Sequence, residues 1–319
     1  MENLQVIEFN QEEEKQQFIA IEDLREIEDK HFTSWLEHTK LRAEKSFNEY
    51  TRTIKSFKDY LKNNNITKPN ENDLIAYREY LKNKNLQATT INNYILVIKM
   101  FFKYLKENGI YENIAKDFKG YKVSRTFKKD YLQVEQIHQL LNTIDRTTKK
   151  GIRDYAIILL MLTTGMRTIE VSRAKIEDYE NGILHIQGKG KADKTEYVKV
   201  ALQVESAIED YLRTRTNKKP SDYLFTSISN HNQEQQLTTK SVSRIAKENL
   251  IKADLKSRRL TAHSFRHTTA TLNLKAGATM QETQQLLRHS NINTTLIYSH
   301  NLERENNQSE QRITNYIFA

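Results

Sequence analysis

The sequence has 319 residues, no cysteine, two prolines and a formal net charge of +9. Without cysteine there is no disulfide framework, thiolate nucleophile or zinc–thiolate site, and the longest apolar run, residues 156–162, is too short to span a bilayer. We therefore expect a cytoplasmic, mainly helical protein of two domains, whose basic body favours a polyanionic partner such as nucleic acid.

The amino-terminal segment carries the opposite charge from the rest of the chain. Residues 1–30 contain ten acidic and three basic residues, which leaves a net charge of +16 on the remainder. An acidic segment cannot neutralise phosphates. We therefore interpret residues 1–30 as a solvated or partly helical leader.

Residues 31–115 are predicted to form a helical domain. Apolar residues recur at steps of three and four between Phe47 and Leu61, a second helix is predicted over 72–81, and Thr89 or Thr90 is expected to cap a third that ends near Gly109. Basic side chains fill the opposite faces of the first and third helices. Such faces are usually only solvated, but the candidates for DNA contact are Arg52, Lys55, Lys58, Lys99 and Lys103.

The rest of the chain is predicted to hold a basic linker, a second domain and a tail. Residues 116–130 are rich in cations, among them Lys122 and Arg125 as further candidates for DNA contact. In the second domain, 131–300, Gly165 should stop a buried helix. Strands are predicted over 183–187 and 196–200, and helices over 134–144, 153–163, 203–214, 238–250, 263–276, 280–287 and 294–300. The fold class expected is therefore mainly α, with a small antiparallel β-sheet.

Five local motifs carry residue types suited to phosphate chemistry. They are TTGMRTIEV with Arg167, the GKG turn with Lys189, HSFRHTTAT with His263 and Arg266, LLRHSNINTT with His289, and IYSH with Tyr298. A guanidinium binds phosphate oxygens bidentately, an imidazole donates a hydrogen bond or moves a proton, and a phenol can attack phosphorus.

In order and local context, these six residues resemble the catalytic set of the tyrosine recombinases, the phage integrase family, and in particular its compact Xer-type and mobile-element members. The likeness extends over about 31–319. It implies that Tyr298 is the nucleophile, that Arg167 and Arg266 hold the scissile phosphate, and that His289 stabilises the transition state. His263 would assist proton transfer or hold the phosphate by a hydrogen bond.

Two further residues have expected roles, and one is given a structural role. Glu170 would pair with Arg167 and fix its rotamer. Lys189 would protonate the leaving 5′ oxygen; Lys191 and Lys194 are rivals in the same loop, and the GKG context of related recombinases favours Lys189. His267, beside Arg266, is assigned a structural role.

The resemblance also implies the reaction and its partners. Tyr298 would form a 3′-phosphotyrosyl link and strand exchange would pass through a Holliday junction, without ATP. Four protomers would assemble on two DNA duplexes with paired recombination sites, possible accessory or directionality factors would assist, and two domains would close on each duplex as a clamp. The tail, 301–319, would dock on a neighbouring protomer or in cis. We expect no metal and no cofactor, because the histidines lack ligand spacing.

Three alternatives stay open at this point. A type IB topoisomerase shares the nucleophile and the cationic site but relaxes supercoils. A noncatalytic DNA-binding protein could keep the fold after its catalytic site has decayed. Within the recombinase interpretation, integration, excision or resolution of a mobile element is favoured over the Xer-like resolution of chromosome or plasmid dimers, because the leader is acidic.

Overall fold

The computed structural model describes residues 26–40, 44–123, 130–188, 193–216, 218–229, 233–292, 294–296, 298 and 309–318. The chain divides into two compact units, Met1–Arg125 and Thr126–Ala319. In the part of the chain that is described, we find no helix whose length and apolar character together would let it cross a membrane.

In the described part of the amino-terminal unit, the helices are α1 (Asp29–Lys40), α2 (Glu44–Asn63), α3 (Glu71–Asn83) and α4 (Ala88–Glu107). The side chain of Asn70 caps α3 by accepting hydrogen bonds from two backbone amides of its first turn. Aromatic side chains dominate the core between the helices. Phe32 stacks on Phe101 with ring centroids 4.8 Å apart, and Trp35 meets the same ring edge-on at 5.8 Å.

The structure departs from the sequence-based boundaries of this unit in three places. Helix α1 begins at Asp29, within the segment interpreted as the leader. Helix α4 begins one residue before Thr89, with Gln87 at the N-cap. Residues 116–123 do not behave as an open linker: Phe118 is buried, and the Tyr121 hydroxyl donates to Glu79 Oε1 at 2.8 Å. Aromatic side chains among the cations tie this segment to the helices.

The carboxy-terminal unit is built around a large apolar core. Its helices are α5 (Val134–Asn142), α6 (Lys149–Thr164), α7 (Thr168–Arg173), α8 (Leu202–Arg213), α9 (Thr239–Lys252), α10 (Ala262–Lys275) and α11 (Met280–Leu287). Helix α6 begins earlier than its periodicity predicts because the Thr148 hydroxyl accepts from the Gly151 amide. It ends at Gly165, in the left-handed conformation with φ 61°, as predicted.

A three-stranded antiparallel sheet lies in the same unit, with the order β1 (Tyr179–Glu180), β2 (Ile183–Ile186), β3 (Glu196–Lys199). Leu184 pairs with Val198, and both side chains are buried in the core. The hairpin between β2 and β3 was predicted, whereas β1 was not. At two residues, β1 is too short to show an alternating pattern.

The final described element is helix α12 (Ser309–Ile317). Ile313, Tyr316, Ile317 and Phe318 are 60%, 89%, 65% and 83% exposed, respectively. Apolar side chains of this size rarely cluster in water without a partner surface.

Candidate active site

Arg167 and Glu170 lie at the junction between α6 and α7. Arg167 is the N-cap of α7, and its backbone amide donates to Glu170 Oε2 at 2.8 Å. Its guanidinium donates to the other carboxylate oxygen, Glu170 Oε1, at 2.7 Å. The Glu170 side chain is fully buried, whereas that of Arg167 keeps 27% of its surface exposed. The pair therefore leaves part of the guanidinium open to solvent in a fixed orientation.

Arg288 is a second cation on the same carboxylate. Its guanidinium donates to Glu170 Oε2 at 2.9 Å, and its Nε lies 3.8 Å from Glu196 Oε2 on β3. Burial by itself would raise the pKa of Glu170, but the charge of Arg288 and the hydrogen bonds from Arg167 outweigh it and lower the pKa. Glu170 is therefore held as a carboxylate between two guanidinium groups.

Arg266, on α10, is almost fully buried, with 2% of its surface exposed. Its guanidinium donates to the carbonyl oxygen of Gly165 at 2.6 Å and to that of Leu287. Burial, then the nearby charges of Arg167 and Arg288, lower the pKa of Arg266 to about 9. Arg266 therefore joins the ends of α6 and α11 while it carries its charge into the site.

Tyr298 and His267 form a buried hydrogen-bonded pair. The Tyr298 hydroxyl lies 2.6 Å from His267 Nδ1, and the two residues are 6% and 5% exposed. Tyr298 packs against the apolar side chains of Ala270 and Leu287. Burial raises the pKa of Tyr298 to about 12, although the charges of Arg266 and Arg167 oppose this rise.

His263 and His289 complete the set that the structure brings together. His263 is exposed on the first turn of α10, and its ring meets that of His267 edge-on with centroids 4.5 Å apart. His289 Nδ1 lies 2.8 Å from the Thr295 hydroxyl. Burial, followed by the charges of Arg266 and Arg167, lowers the pKa of His289 to about 4. His289 is therefore neutral at physiological pH.

Lys189 and its rival Lys191 lie outside the described residues, in the stretch of sequence between β2 and β3. The third lysine of that loop, Lys194, makes an ion pair with the buried carboxylate of Asp178. At the base of the loop, a Cβ atom on Gly188 would lie 3.0 Å from Glu196 Oε2. A side chain at this position would therefore require the Glu196 carboxylate to shift by a few tenths of an ångström.

The candidate DNA contacts lie on the amino-terminal unit. Those on its helices are exposed or half-buried, and three of them pair with nearby carboxylates. The pairs are Arg52 with Glu49 at 2.7 Å, Lys58 with Asp29 at 2.9 Å, and Lys103 with Glu107 at 3.6 Å. Lys55 and Lys122 are exposed, Lys99 donates to the Phe118 carbonyl oxygen at 3.3 Å, and Arg125 lies outside the described residues.

Three residues near the site were not recognised in the sequence as functional. His267 was assigned a structural role, and Arg288 and Thr295 were not singled out. The sequence offered only their positions as a signal: His267 directly follows Arg266, Arg288 directly precedes His289, and Thr295 ends the LLRHSNINTT motif. Among the residues that the structure describes, no group of three or more histidine, aspartate and glutamate side chains is placed to hold a metal ion.

Comparison with known proteins identifies the class. The phage integrase family model matches residues 130–305, and the phage integrase N-terminal SAM-like domain matches residues 29–109. The chain is similar to tyrosine recombinase XerA of Pyrococcus furiosus, with 34% identity over 233 residues that cover 72% of this chain and 76% of that protein. Tyrosine recombinase XerC of Caldanaerobacter subterraneus subsp. tengcongensis is 33% identical over 233 residues, covering 72% of this chain and 64% of its own length.

A solved structure shares the fold. The crystal structure of XerH site-specific recombinase bound to a palindromic difH substrate, in a post-cleavage complex, has a TM-score of 0.69 and 23% identity, covering 88% of this chain and 84% of that one. The fold and the sequence matches together define an enzyme that cleaves and rejoins DNA strands. The chain belongs to the phage integrase family, the tyrosine recombinases.

Proposed function

We propose that this protein is a site-specific DNA recombinase in which Tyr298 is the nucleophile and Arg167, Arg266 and His289 bind the scissile phosphate. The observation that carries the proposal is the convergence of two guanidinium groups on a buried phenol. Both arginine charges act on the Tyr298 hydroxyl strongly enough to oppose the effect of burial on its pKa. The same charges act on His289. Positive charge that destabilises an imidazolium and favours a phenolate would also stabilise a pentacoordinate phosphorane.

Each phosphate contact has a supporting geometry. Glu170 holds Arg167 from two sides, so that the exposed part of the guanidinium can meet a nonbridging oxygen in a fixed orientation. If the Thr295 hydroxyl donates to His289 Nδ1, the proton of the neutral ring lies on Nε2. His289 would then donate a hydrogen bond to phosphate without requiring a charge, and His263 would supply a further hydrogen bond.

The leaving 5′ oxygen requires a proton donor, and we assign this role to Lys189. Lys194, a described lysine between β2 and β3, is engaged by Asp178. The ammonium group of a lysine can act as a general acid towards a leaving oxygen. The bond energy is stored in the phosphotyrosyl link, so that rejoining needs no nucleotide hydrolysis.

The domain organisation follows from the same function. We propose a core-binding domain that begins at α1 and includes residues 116–123, and a catalytic domain over 131–300, which close on double-stranded DNA as a clamp. The basic residues on α2 and α4 would contact the phosphate backbone. An enzyme acting on bacterial DNA would work in the cytoplasm.

We further propose that four protomers act on two duplexes and that strand exchange passes through a Holliday junction. Support comes from α12, whose exposed Tyr316 and Phe318 need an apolar groove. Docking of this tail, within 301–319, on a neighbouring protomer would cover them, as an amphipathic helix in a groove does.

Two biological roles fit this chemistry. The acidic leader favours a recombinase of a mobile element, with directionality factors controlling integration and excision. The similarity to relatives named XerA and XerC favours dimer resolution instead. Suicide substrates from the two kinds of site separate them: preferential cleavage of chromosomal dimer-resolution sequences would exclude the mobile-element role.

The test of the chemistry is trapping of the covalent intermediate. Full-length protein is incubated, in the presence of a chelator, with nicked duplexes drawn from the DNA that flanks its gene. We expect a denaturant-stable adduct whose linked peptide contains Tyr298, and its loss in Tyr298→Phe with unchanged DNA binding. Tyr211→Phe is the matched control, because it also removes a buried hydroxyl, one that contacts Thr226 at 3.0 Å. An adduct that persists in Tyr298→Phe would refute the assignment, and no adduct with any duplex despite tight binding would favour the noncatalytic alternative.

A further inference from the structure

We propose that His267 is a catalytic residue, which accepts the phenolic proton of Tyr298 as this residue attacks phosphorus. The inference rests on the proposed role of Tyr298 as nucleophile. It assigns a chemical role to a side chain that touches the reacting atom directly: His267 Nδ1 lies 2.6 Å from the Tyr298 hydroxyl oxygen.

The attacking phenol needs a proton acceptor. With a pKa of about 12, only on the order of one molecule in 10⁵ carries the phenolate at neutral pH. The cationic neighbours Arg266 and Arg167 stabilise the phenolate, but a guanidinium cannot take up its proton. A neutral imidazole can do so, provided that one ring nitrogen is unprotonated and faces the hydroxyl.

The position of His267 meets this geometric requirement. His267 lies on α10 next to Arg266, and both side chains are buried. Its Nδ1 faces Tyr298, while the ring of His263, one turn earlier on the helix, lies edge-on to it with centroids 4.5 Å apart. In the tautomer with the proton on Nε2, Nδ1 presents its lone pair to the hydroxyl at hydrogen-bond distance. The proton can therefore move over one short hydrogen bond, without rearrangement of either side chain.

The step balances in both directions. As the Tyr298 oxygen forms its bond to phosphorus, the O–H bond breaks and the proton passes to His267 Nδ1, which leaves an imidazolium. The bond from phosphorus to the 5′ oxygen breaks, and the leaving oxygen receives a proton from the general acid, which we have assigned to Lys189. During rejoining the 5′-hydroxyl gives its proton back to the amine of Lys189 as its oxygen attacks phosphorus. The phosphotyrosyl bond breaks, and His267 returns its proton to the phenolate oxygen.

His263 and His267 then have separate tasks. His263 is exposed, one helical turn nearer the start of α10, where it can reach a bound phosphate. His267 is buried against the nucleophile. This division explains why two histidines occur on one face of the helix, at positions four residues apart.

The decisive variant is His267→Asn. Asparagine can place an amide oxygen near the position of Nδ1 and accept the Tyr298 hydrogen bond, but it cannot take the proton. If His267 acts by proton transfer, cleavage by His267→Asn should slow by about 10²- to 10³-fold, within the usual range for general base catalysis. If the histidine only positions the phenol, asparagine should preserve the rate to within about threefold.

The rate of adduct formation is measured with full-length protein and the duplex that traps Tyr298. A second duplex has sulfur in place of the bridging 5′ oxygen at the scissile phosphate. A thiolate leaves without protonation, so that the sulfur substrate should restore cleavage by Lys189→Ala. The sulfur substrate should not restore cleavage by His267→Asn, because the phenol still has to lose its proton. His138→Asn, the same substitution at an exposed position of α5, serves as the control and should cleave both duplexes at the wild-type rate.

Each outcome has a separate meaning. Wild-type rates in His267→Asn on the oxygen substrate, or rescue of this variant by the sulfur substrate, would overturn the proposal. If His267→Asn is partly unfolded, the ratio of the rates on the two substrates still decides, because both are measured on the same folded fraction. Failure of the wild-type protein to form an adduct at Tyr298 would refute the proposed nucleophile instead.

Discussion

The shared carboxylate of Glu170 leads to a quantitative prediction for Arg288. Arg288 adopts the left-handed backbone conformation, with φ 54° and ψ 48°, where glycine would be unstrained. Its side chain is only 7% exposed and bonds Glu170 at 2.9 Å. The substitution Arg288→Gly therefore relieves the backbone and removes a buried ion pair, two effects of opposite sign.

The loss of the ion pair should outweigh the relief of the left-handed backbone conformation. Removing one partner of a buried pair costs about 3–5 kcal/mol, and the lower end applies because Glu170 keeps its contact with Arg167. Relief of the left-handed conformation returns about 1 kcal/mol. We therefore expect Arg288→Gly to destabilise the carboxy-terminal unit by about 2 kcal/mol.

Urea unfolding of the full chain, followed by far-UV circular dichroism, measures this difference. With a slope of about 2 kcal/mol per molar urea, the midpoint should fall by about 1 M. Fluorescence of Trp35, the only tryptophan in the sequence, reports on the amino-terminal unit and shows which transition has moved. Glu234→Gly is the matched control, because Glu234 is exposed and also left-handed, with φ 61°. Its free energy of unfolding should rise by up to about 1 kcal/mol.

A double-mutant cycle tests whether the ion pair causes the loss of stability. In a Glu170→Gln background the carboxylate charge is absent, so that Arg288→Gly should cost much less than in the wild-type protein. An equal cost in both backgrounds would show that the ion pair is not the source of the effect. A stability gain in Arg288→Gly, like that expected for Glu234→Gly, would refute the reasoning altogether.

Two further predictions concern the helix ends and histidine. Gly165→Ala should lower the free energy of unfolding by about 2–3 kcal/mol, because φ is +61° and the new Cβ would lie 2.6 Å from the buried Leu287 Cδ2. Gly277→Ala is the control: its φ is +93° and its surroundings are open, so that it should show only the cost of the backbone conformation. Thermal melts measure both variants. The folded-state pKa of His289, about 4, lies below its unfolded value near 6.5, so that its contribution to stability is present above pH 6.5 and is lost as the pH falls towards 4. His289→Gln should flatten the stability profile in that range; an unchanged profile would contradict the lowered pKa.

The sequence by itself determined the family and most of the fold. Apolar periodicity predicted the principal helices, since a helix must bury one face whatever it packs against. Gly165 marked the end of α6, because only the local backbone decides a left-handed stop. The motif residues could be placed on their elements for the same reason: their signals are local.

Only the tertiary structure decided which side chains meet. His267 and Tyr298 are 31 positions apart, and Glu170 and Arg288 are 118 apart, so that no periodicity relates the members of either pair. Whether a histidine is structural or faces a phenol depends on how α10 packs against the segment that follows α11. Contacts of this kind arise from the packing of distant elements, and local patterns carry no information about them.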